Sequence, residues 1–308
     1  ADWSTGVTMA DVNGDGLPDI YVCTVSGKFN LKGHNELYIN NGDLSFTERS
    51  AEFGLAFHDY STQAAFFDYD KDGDLDCYLL NQSDHLVDVI RDTSVRRKYS
   101  PEAGDRLLRN DDGKFTDVTS KAGIYGSGLG YGLGIAVGDL NNDGWDDIYV
   151  GNDFHENDYY YVNNRDGTFS EIGASAFGHY SRFSMGNDMA DYNNDGLLDL
   201  VTMDMLPPDE SVLKTYGGDD ALDIYKYKLI NMGFQYQYSR NALQRNNDGK
   251  HFSEMALYAG IAATDWSWAP LLADFDNDGI KDLFVSNGIM RRPSDLDYLK
   301  FIYNSNVQ

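Results

Sequence analysis

Residues 139–150 read DLNNDGWDDIYV, with Asp, Asn, Asp and Asp at positions one, three, five and nine, followed by a β-branched and aromatic run. Acidic side chains this close together repel one another unless a positive charge lies among them. The pattern D-x-[DN]-x-D-G-x-x-D recurs at 11–19, 68–76, 139–147, 191–199 and 274–282. Five copies of one pattern indicate a repeat protein.

The flanks of the acidic loops repeat as well. An apolar stretch precedes each loop and a strand-like run follows it. In four repeats an apolar run, an Asn/Asp/Gly turn and an aromatic strand start then form a hairpin signal, at 37–48, 107–117, 160–171 and 243–254. Each such repeat therefore contains about four strands, which is typical of a propeller blade. We predict an all-β fold over 1–308, a single β-propeller domain of about five four-stranded blades with short helical insertions.

The spacing of the acids predicts one calcium ion in each loop, about five in all. Calcium takes about 6–8 oxygen ligands at roughly 2.3–2.6 Å. Positions one, three, five and nine offer side-chain oxygens, position seven offers a backbone carbonyl, and glycine at position six permits the turn. The candidate ligands are Asp11, Asn13, Asp15, Leu17, Asp19, Asp68, Asp70, Asp72, Asp74, Asp76, Asp139, Asn141, Asp143, Trp145, Asp147, Asp191, Asn193, Asp195, Leu197, Asp199, Asp274, Asp276, Asp278, Ile280 and Asp282.

Three alternatives compete with this assignment. An EF-hand requires Glu at position twelve and flanking helices, whereas position twelve is Val22, Leu79, Val150, Thr202 and Val285, all in strand-like runs. Magnesium fits less well, because it keeps its waters and demands octahedral geometry. The third alternative is an Asx-turn loop that holds no metal.

The composition restricts the function further. The chain is 42% hydrophobic, so it can form a core, and its formal net charge of −26 should repel nucleic acid and anionic lipid. No apolar run is long enough to cross a membrane. Calcium loops of this kind need millimolar calcium, and the chain begins at Ala1 without Met or a signal peptide, as a mature or trimmed form would. We expect an extracellular location. Cys23 and Cys77 could be free buried thiols or a pair.

The loops resemble the calcium-binding FG-GAP or VCBS repeats of integrin-α-type propellers. Three stretches resemble the ASPIC/UnbV group (cartilage acidic protein-like): VGNDFHENDYYYVNNRDGTFSEI at 150–172, MADYNNDGLLDLVTMDMLPPDESVLKT at 189–215 and TDWSWAPLLADFDNDGIKDLFVSNGIMRR at 264–292. The resemblance implies a secreted or surface-attached protein, often from Bacteroidota, for which attachment to the outer membrane is one option. It also implies a seven-bladed propeller, of which five loops would be a fragment of a longer protein.

Two insertions break the repeat, 84–106 and 204–240. The first is either a solvated helix or a contact for an anionic glycan or partner, and its basic residues are Arg91, Arg96, Arg97 and Lys98. The second has a helical pattern over 219–232 followed by Tyr236 and Tyr238, which suits either sugar stacking or a helix that caps the propeller.

The sequence contains no Gly-x-Ser-x-Gly elbow, His-Glu-x-x-His motif or P-loop, so we predict no catalytic residues and no cofactor besides calcium. The predicted function is a non-catalytic calcium-binding propeller that mediates protein or glycan binding and adhesion at the cell surface. The alternatives are a structural subunit of an outer-membrane surface or nutrient-uptake assembly, with other chains as partners, and a calcium-dependent polysaccharide lyase.

Overall fold

Each acidic loop joins the first two strands of an antiparallel sheet in the computed structural model of the chain. The structure describes residues 3–27, 30–83, 85, 91–217, 220–290 and 292–303. These residues form four four-stranded sheets, with the strands of each in chain order, and one two-stranded pair that carries the last loop. The predicted unit of strand, loop, strand and hairpin is confirmed in the first four repeats. The fifth shows only its first two strands among the described residues.

The strands follow the repeat along the chain. Sheet one contains β1 (Trp3–Ala10), β2 (Asp19–Val25), β3 (Glu36–Asn40) and β4 (Phe46–Glu48). Sheet two contains β5 (Ser61–Phe67), β6 (Asp76–Asn81), β7 (Arg106–Asn110) and β8 (Phe115–Asp117). Sheet three contains β9 (Gly132–Gly138), β10 (Asp147–Asn152), β11 (Tyr159–Asn163) and β12 (Phe169–Glu171). Sheet four contains β14 (Asn187–Ala190), β15 (Asp199–Thr202), β17 (Ala242–Asn246) and β18 (Phe252–Glu254). A separate parallel pair is formed by β13 (Tyr180–Ser181) and β16 (Gln237–Tyr238). The last pair is β19 (Ser267–Ala273) and β20 (Asp282–Asn287).

The helices are short. They are α1 (Ser50–Phe53), α2 (Thr119–Ala122), α3 (Gly173–Ala176), α4 (Glu210–Leu213), α5 (Leu222–Asn231), α6 (Ala256–Ala259) and α7 (Leu296–Ile302), with a 3₁₀ turn at Thr93–Val95. The helix predicted over 219–232 is confirmed as α5. A single-turn helix, which was not predicted from the sequence, follows the fourth strand of each complete sheet. In three of the four repeats this helix ends at a left-handed glycine, Gly54, Gly123 or Gly260, and that recurring glycine was the available signal.

Consecutive sheets meet along their first strands. β1 lies against β5, β5 against β9, β9 against β14 and β14 against β19. The approach is close: Thr8 Oγ1 donates to Ala64 O at 2.6 Å, and a Cβ added at Gly6 would lie 2.2 Å from Thr62 O. Glycine is therefore required at this contact, because any side chain would push the two strands apart.

The hydrophobic core is divided among the spaces between neighbouring sheets. Tyr21 and Leu79 belong to the cluster between sheets one and two, and Tyr78 and Ile148 to the cluster between sheets two and three. Similar clusters lie between sheets three and four and between sheet four and the last pair. Cys23 and Cys77 are both buried as free thiols. No helix in the described part of the chain is long and apolar enough to cross a bilayer.

Candidate functional site

The acidic loops fold around their own carboxylates. In the first loop Asp11 accepts hydrogen bonds from the backbone N–H groups of Asp15 and Gly16 at 3.0 and 2.8 Å, and Asp15 accepts one from Leu17 N–H at 2.9 Å. The other four loops repeat these contacts. Positions four and six have positive φ in all five loops, which explains the glycine at position six.

The acid at position nine begins the second strand and holds the loop to its sheet. Asp19 Oδ2 accepts from Val12 N–H at 3.0 Å, and Asp19 Oδ1 accepts from Asn40 N–H at 2.8 Å. Asp76 and Asp199 make the same pair of bonds, whereas Asp147 accepts from Asn141 N–H, at position three of its loop, and from Asn163 N–H. The side chains of all four acids are buried. These predicted ligands are therefore also structural acceptors.

These acids have a partner that was not predicted from the sequence, an asparagine that ends the third strand. Asn110 donates its backbone N–H to Asp76 and its side-chain amide to Leu75 O, and its Oδ1 accepts from Gly113 N–H. Asn40, Asn163 and Asn246 occupy the same place. The recurring NN or ND pair at the start of each hairpin turn was the sequence signal.

Among the described residues, two of the five loops bring three predicted carboxylate ligands close enough to share a cation. In the second loop the carboxylate oxygens of Asp68, Asp70 and Asp76 lie within 4.8 Å of one another, and the fifth loop brings Asp274, Asp276 and Asp282 together in the same way. Buried oxygens without a hydrogen-bond partner remain on Asp70 and Asp74 in the second loop and on Asn141 in the third. An orphaned buried oxygen is costly, and a hard cation would satisfy it.

The electrostatics of the loops also favour a bound cation. Burial, with a contribution from neighbouring carboxylates, raises the pKa of Asp76 to about 8, that of Asp147 to about 7 and that of Asp199 to about 6, although backbone N–H groups oppose the shift. The third loop differs, because Arg165 Nη2 lies 2.7 Å from Asp143 Oδ2. Burial raises the pKa of Asp143, but the hydrogen bonds from Arg165, Trp145 N–H and Asn141, together with the Arg165 charge, outweigh it, and the net pKa is lowered.

The two insertions lie at the opposite end of the sheets from the acidic loops. Both connect a second strand to a third strand, whereas each acidic loop connects a first strand to a second. The structure brings them together, because Thr93 N–H donates to Met232 O at 3.0 Å. The second insertion also contacts the turn between β10 and β11, where Gln237 Nε2 donates to Glu156 O at 2.7 Å. We call residues 91–106, 153–158 and 220–240 the insertion layer.

At least two of the four basic residues of the first insertion contact other side chains of the protein. Arg96 pairs with the buried Glu156, and the Arg97 guanidinium lies over the Tyr125 ring at 5.2 Å. Arg91 and Lys98 instead line a cavity of about 330 Å³. The expectation that all four cations could face an anionic ligand is therefore wrong for Arg96. Residues 84 and 86–90 lie outside the described residues.

Comparison with known proteins identifies the family. A model described as "FG-GAP-like repeat" matches residues 11–79, 88–150, 139–202 and 218–285. The matched segments cover most of the chain, and the chain belongs to this family.

The chain is also similar to curated proteins named cartilage acidic protein 1. The chain is 23% identical to cartilage acidic protein 1 of Homo sapiens, over 92% of this chain and 47% of the relative, and 25% identical to that of Xenopus tropicalis, over 94% and 40%. The chain thus spans about half the length of the curated relatives it matches.

Two solved structures are similar over most of the chain. One is a lectin of Agrocybe aegerita that recognises non-reducing terminal N-acetylglucosamine, with 16% identity, a TM-score of 0.47 and coverage of 90% of this chain and 59% of the lectin. The other is a rhamnogalacturonan lyase of Bacillus licheniformis, with 11% identity, a TM-score of 0.41 and coverage of 93% and 55%.

Proposed function

We propose that this chain is part of a non-catalytic, calcium-binding β-propeller that binds a protein or a glycan outside the cell. The observation that carries the calcium assignment is the second loop, where three carboxylates converge and two buried oxygens have no partner. Membership of the FG-GAP-like repeat family supports a binding role. The relatives' name, cartilage acidic protein, fits both the acidic composition and a place outside the cell.

The propeller proposal rests on how the sheets meet. Each pair of consecutive sheets is joined at the first strands and by an apolar cluster, which is how blades surround a common axis. Val7 and Met9 on the first strand are exposed, and so is Phe284 on the last. We propose that further blades of a longer protein cover these faces. A structural subunit of a surface assembly is the second candidate, because other chains could cover the same faces.

Calcium would contribute substantially to stability. Extracellular calcium modules bind at about 10⁻⁴ to 10⁻³ M. With a Kd of about 0.1 mM and calcium at about 1 mM, each site adds roughly 1.4 kcal/mol to the free energy of unfolding. Five independent sites would add roughly 7 kcal/mol, which is comparable to the whole stability of a typical domain.

The calcium assignment is tested by counting ions and measuring stability. The chain is freed of metal with EDTA, dialysed, and titrated with calcium by calorimetry, with magnesium as the control. We expect about five calcium ions per chain and a large rise in the melting temperature, neither of which magnesium reproduces at the same concentration. A chain that melts at the same temperature with calcium and with EDTA would refute the assignment.

The binding role is tested by crosslinked capture. The calcium-loaded chain serves as bait against surface extract, and the same capture in EDTA is the control. Partners captured only with calcium would support a binding module. New absorbance from an unsaturated sugar product, formed when the chain is incubated with uronic-acid polysaccharides, would overturn the non-catalytic assignment and favour a lyase.

A further inference from the structure

The insertion layer contains a second cavity, of about 350 Å³, between α5 and the parallel pair β13–β16. The backbone fixes its position, because Tyr180 N–H donates to Tyr236 O at 2.9 Å and Arg182 N–H donates to Tyr238 O at 3.2 Å. Tyr225 joins the helix to the strand, since its hydroxyl donates to Gln237 O at 3.1 Å. The cavity is therefore part of the fold and does not depend on the acidic loops.

The cavity has a polar base that is held in place. Arg182 Nη2 lies 2.9 Å from Asp220 Oδ1, and both side chains are largely buried. Asp220 Oδ2 also accepts from Lys228 Nζ at 2.9 Å, and the Arg182 guanidinium lies 4.7 Å from the centre of the Phe183 ring. Side chains fixed in this way can bind a ligand without losing much conformational freedom.

The walls of the cavity are apolar and aromatic. Tyr238 and Leu222 are exposed, and both line the cavity. The Tyr238 ring has an edge contact with His179, with ring centres 4.8 Å apart, and the Arg240 guanidinium lies 5.7 Å from its centre. An aromatic side chain that is packed on one side and open on the other offers a flat surface to a ligand.

We infer that this cavity binds one pyranose ring of a neutral saccharide. A pyranose has an apolar face of C–H groups, which fits Tyr238 and Leu222, and an edge of hydroxyl groups that both donate and accept, which fits Arg182 and Asp220. Asp220 pairs with both Arg182 and Lys228 and so places a carboxylate at the base of the cavity. A bare anion would meet this negative charge at close range, whereas a neutral sugar would not be repelled by it. The volume is within the range of small-ligand pockets.

This inference deepens the proposed function, because it names the class of ligand that the binding module takes. It also places the ligand at the end of the sheets opposite the acidic loops. Calcium should therefore affect sugar binding only through folding, and the folded chain should bind the sugar without a direct calcium contact.

The test uses methyl glycosides of neutral hexoses, N-acetylhexosamines and uronic acids as probes, measured by saturation-transfer NMR and by calorimetry on the intact, calcium-loaded chain. We expect at least one neutral glycoside to bind. Tyr238→Ala should weaken its affinity at least tenfold, whereas Tyr238→Phe should stay within threefold because the ring remains. The matched control is Tyr227→Ala, an exposed tyrosine on the outer face of α5 that does not line the cavity, and we expect less than a twofold change.

Three outcomes would overturn the inference. They are the absence of binding by any glycoside, an equal loss of affinity in Tyr227→Ala and Tyr238→Ala, and binding of a uronate at least tenfold tighter than its neutral counterpart. Calcium-dependent capture of a protein partner without glycoside binding would overturn the sugar cavity alone. The absence of both would overturn the proposed binding function as well. Circular dichroism and melting curves establish that each variant is folded.

Discussion

Sheet two and the last strand pair carry the same acidic pattern in different surroundings. Tyr78 and Phe284 each lie ten residues after the first Asp of their loops, yet Tyr78 is 0% exposed and Phe284 is 57% exposed. Asp76 is buried and accepts two backbone N–H groups, whereas Asp282 is exposed and accepts from Phe275. Sheet two has a neighbour on each face, while among the described residues the last pair packs only on sheet four. The contribution of a residue at a given position of the repeat to the free energy of unfolding therefore depends on which sheets pack against it.

Truncation of the two aromatic side chains should give the largest contrast. Tyr78→Ala removes a buried ring and should lower the free energy of unfolding by about 3–5 kcal/mol. Phe284→Ala should lower it by less than about 1 kcal/mol, because the ring is already largely in water. Urea denaturation at saturating calcium measures both values. Similar losses for the two variants would mean that the last pair is covered in solution.

Removal of the position-nine acid should lower the free energy of unfolding more in the second repeat than in the fifth, even when no metal is present. Asp76→Ala leaves the N–H groups of Tyr69 and Asn110 without their acceptor, and unsatisfied buried donors cost about 1–3 kcal/mol each. We expect a loss of about 2–4 kcal/mol in EDTA. Asp282→Ala is the matched control and should lose about 1 kcal/mol or less under the same conditions. If Asp76→Ala lost stability only with calcium present, its structural role would be refuted.

Sheet two also buries a carboxylic acid at its other end. Asp105 accepts from Tyr78 Oη and from Asn81 N–H, each at 2.9 Å, and burial raises its pKa to about 7. In the unfolded chain the pKa of Asp is about 3.9. The folded state therefore binds the proton more tightly, and the Asp105 contribution to stability is full below about pH 4, falls as pH rises and is lost above about pH 7.

Replacement of this acid by its amide should remove that dependence. Asn35 and Asn241 already occupy the same place in sheets one and four, where they accept from Thr24 N–H and Asp204 N–H. Asp105→Asn should raise the free energy of unfolding by up to about 4 kcal/mol at pH 8 and leave it nearly unchanged at pH 4. Denaturation curves across this range, with the exposed Asp297→Asn as control, measure the difference. An equal shift at both pH values would contradict the assignment.

The smallest expected change in the free energy of unfolding comes from removing a single calcium ligand. Asp70→Ala and Asp276→Ala remove the position-three ligand from the second and fifth loops. Each variant should bind one ion fewer by calorimetry and lose roughly 1.4 kcal/mol at about 1 mM calcium. In EDTA neither should differ from the parent chain by more than about 0.5 kcal/mol. An unchanged ion count in both variants would show that the loops do not hold calcium.

The sequence predicted the repeated unit well. The nine-residue pattern and the hairpin signals located four four-stranded sheets, because turn residues and alternating apolar residues act locally. The candidate ligands at positions one to seven lie in the loops between first and second strands, and those at position nine begin the second strand. Their spacing alone shapes the loop. The asparagines that end the third strands were missed because their partners are distant along the chain; Asn110 bonds to Asp76 across 34 residues.

The residues by themselves thus determined the strand order within a sheet, the turn geometry of each acidic loop and the acidic character of the surface. Only the tertiary structure decided which copies of the pattern are buried, that the two insertions meet, and that Arg96 is used inside the protein whereas Arg182 lies at the base of a cavity. The physical reason is that hydrogen bonds within a loop depend on neighbours in sequence, whereas burial depends on which sheets pack on each face.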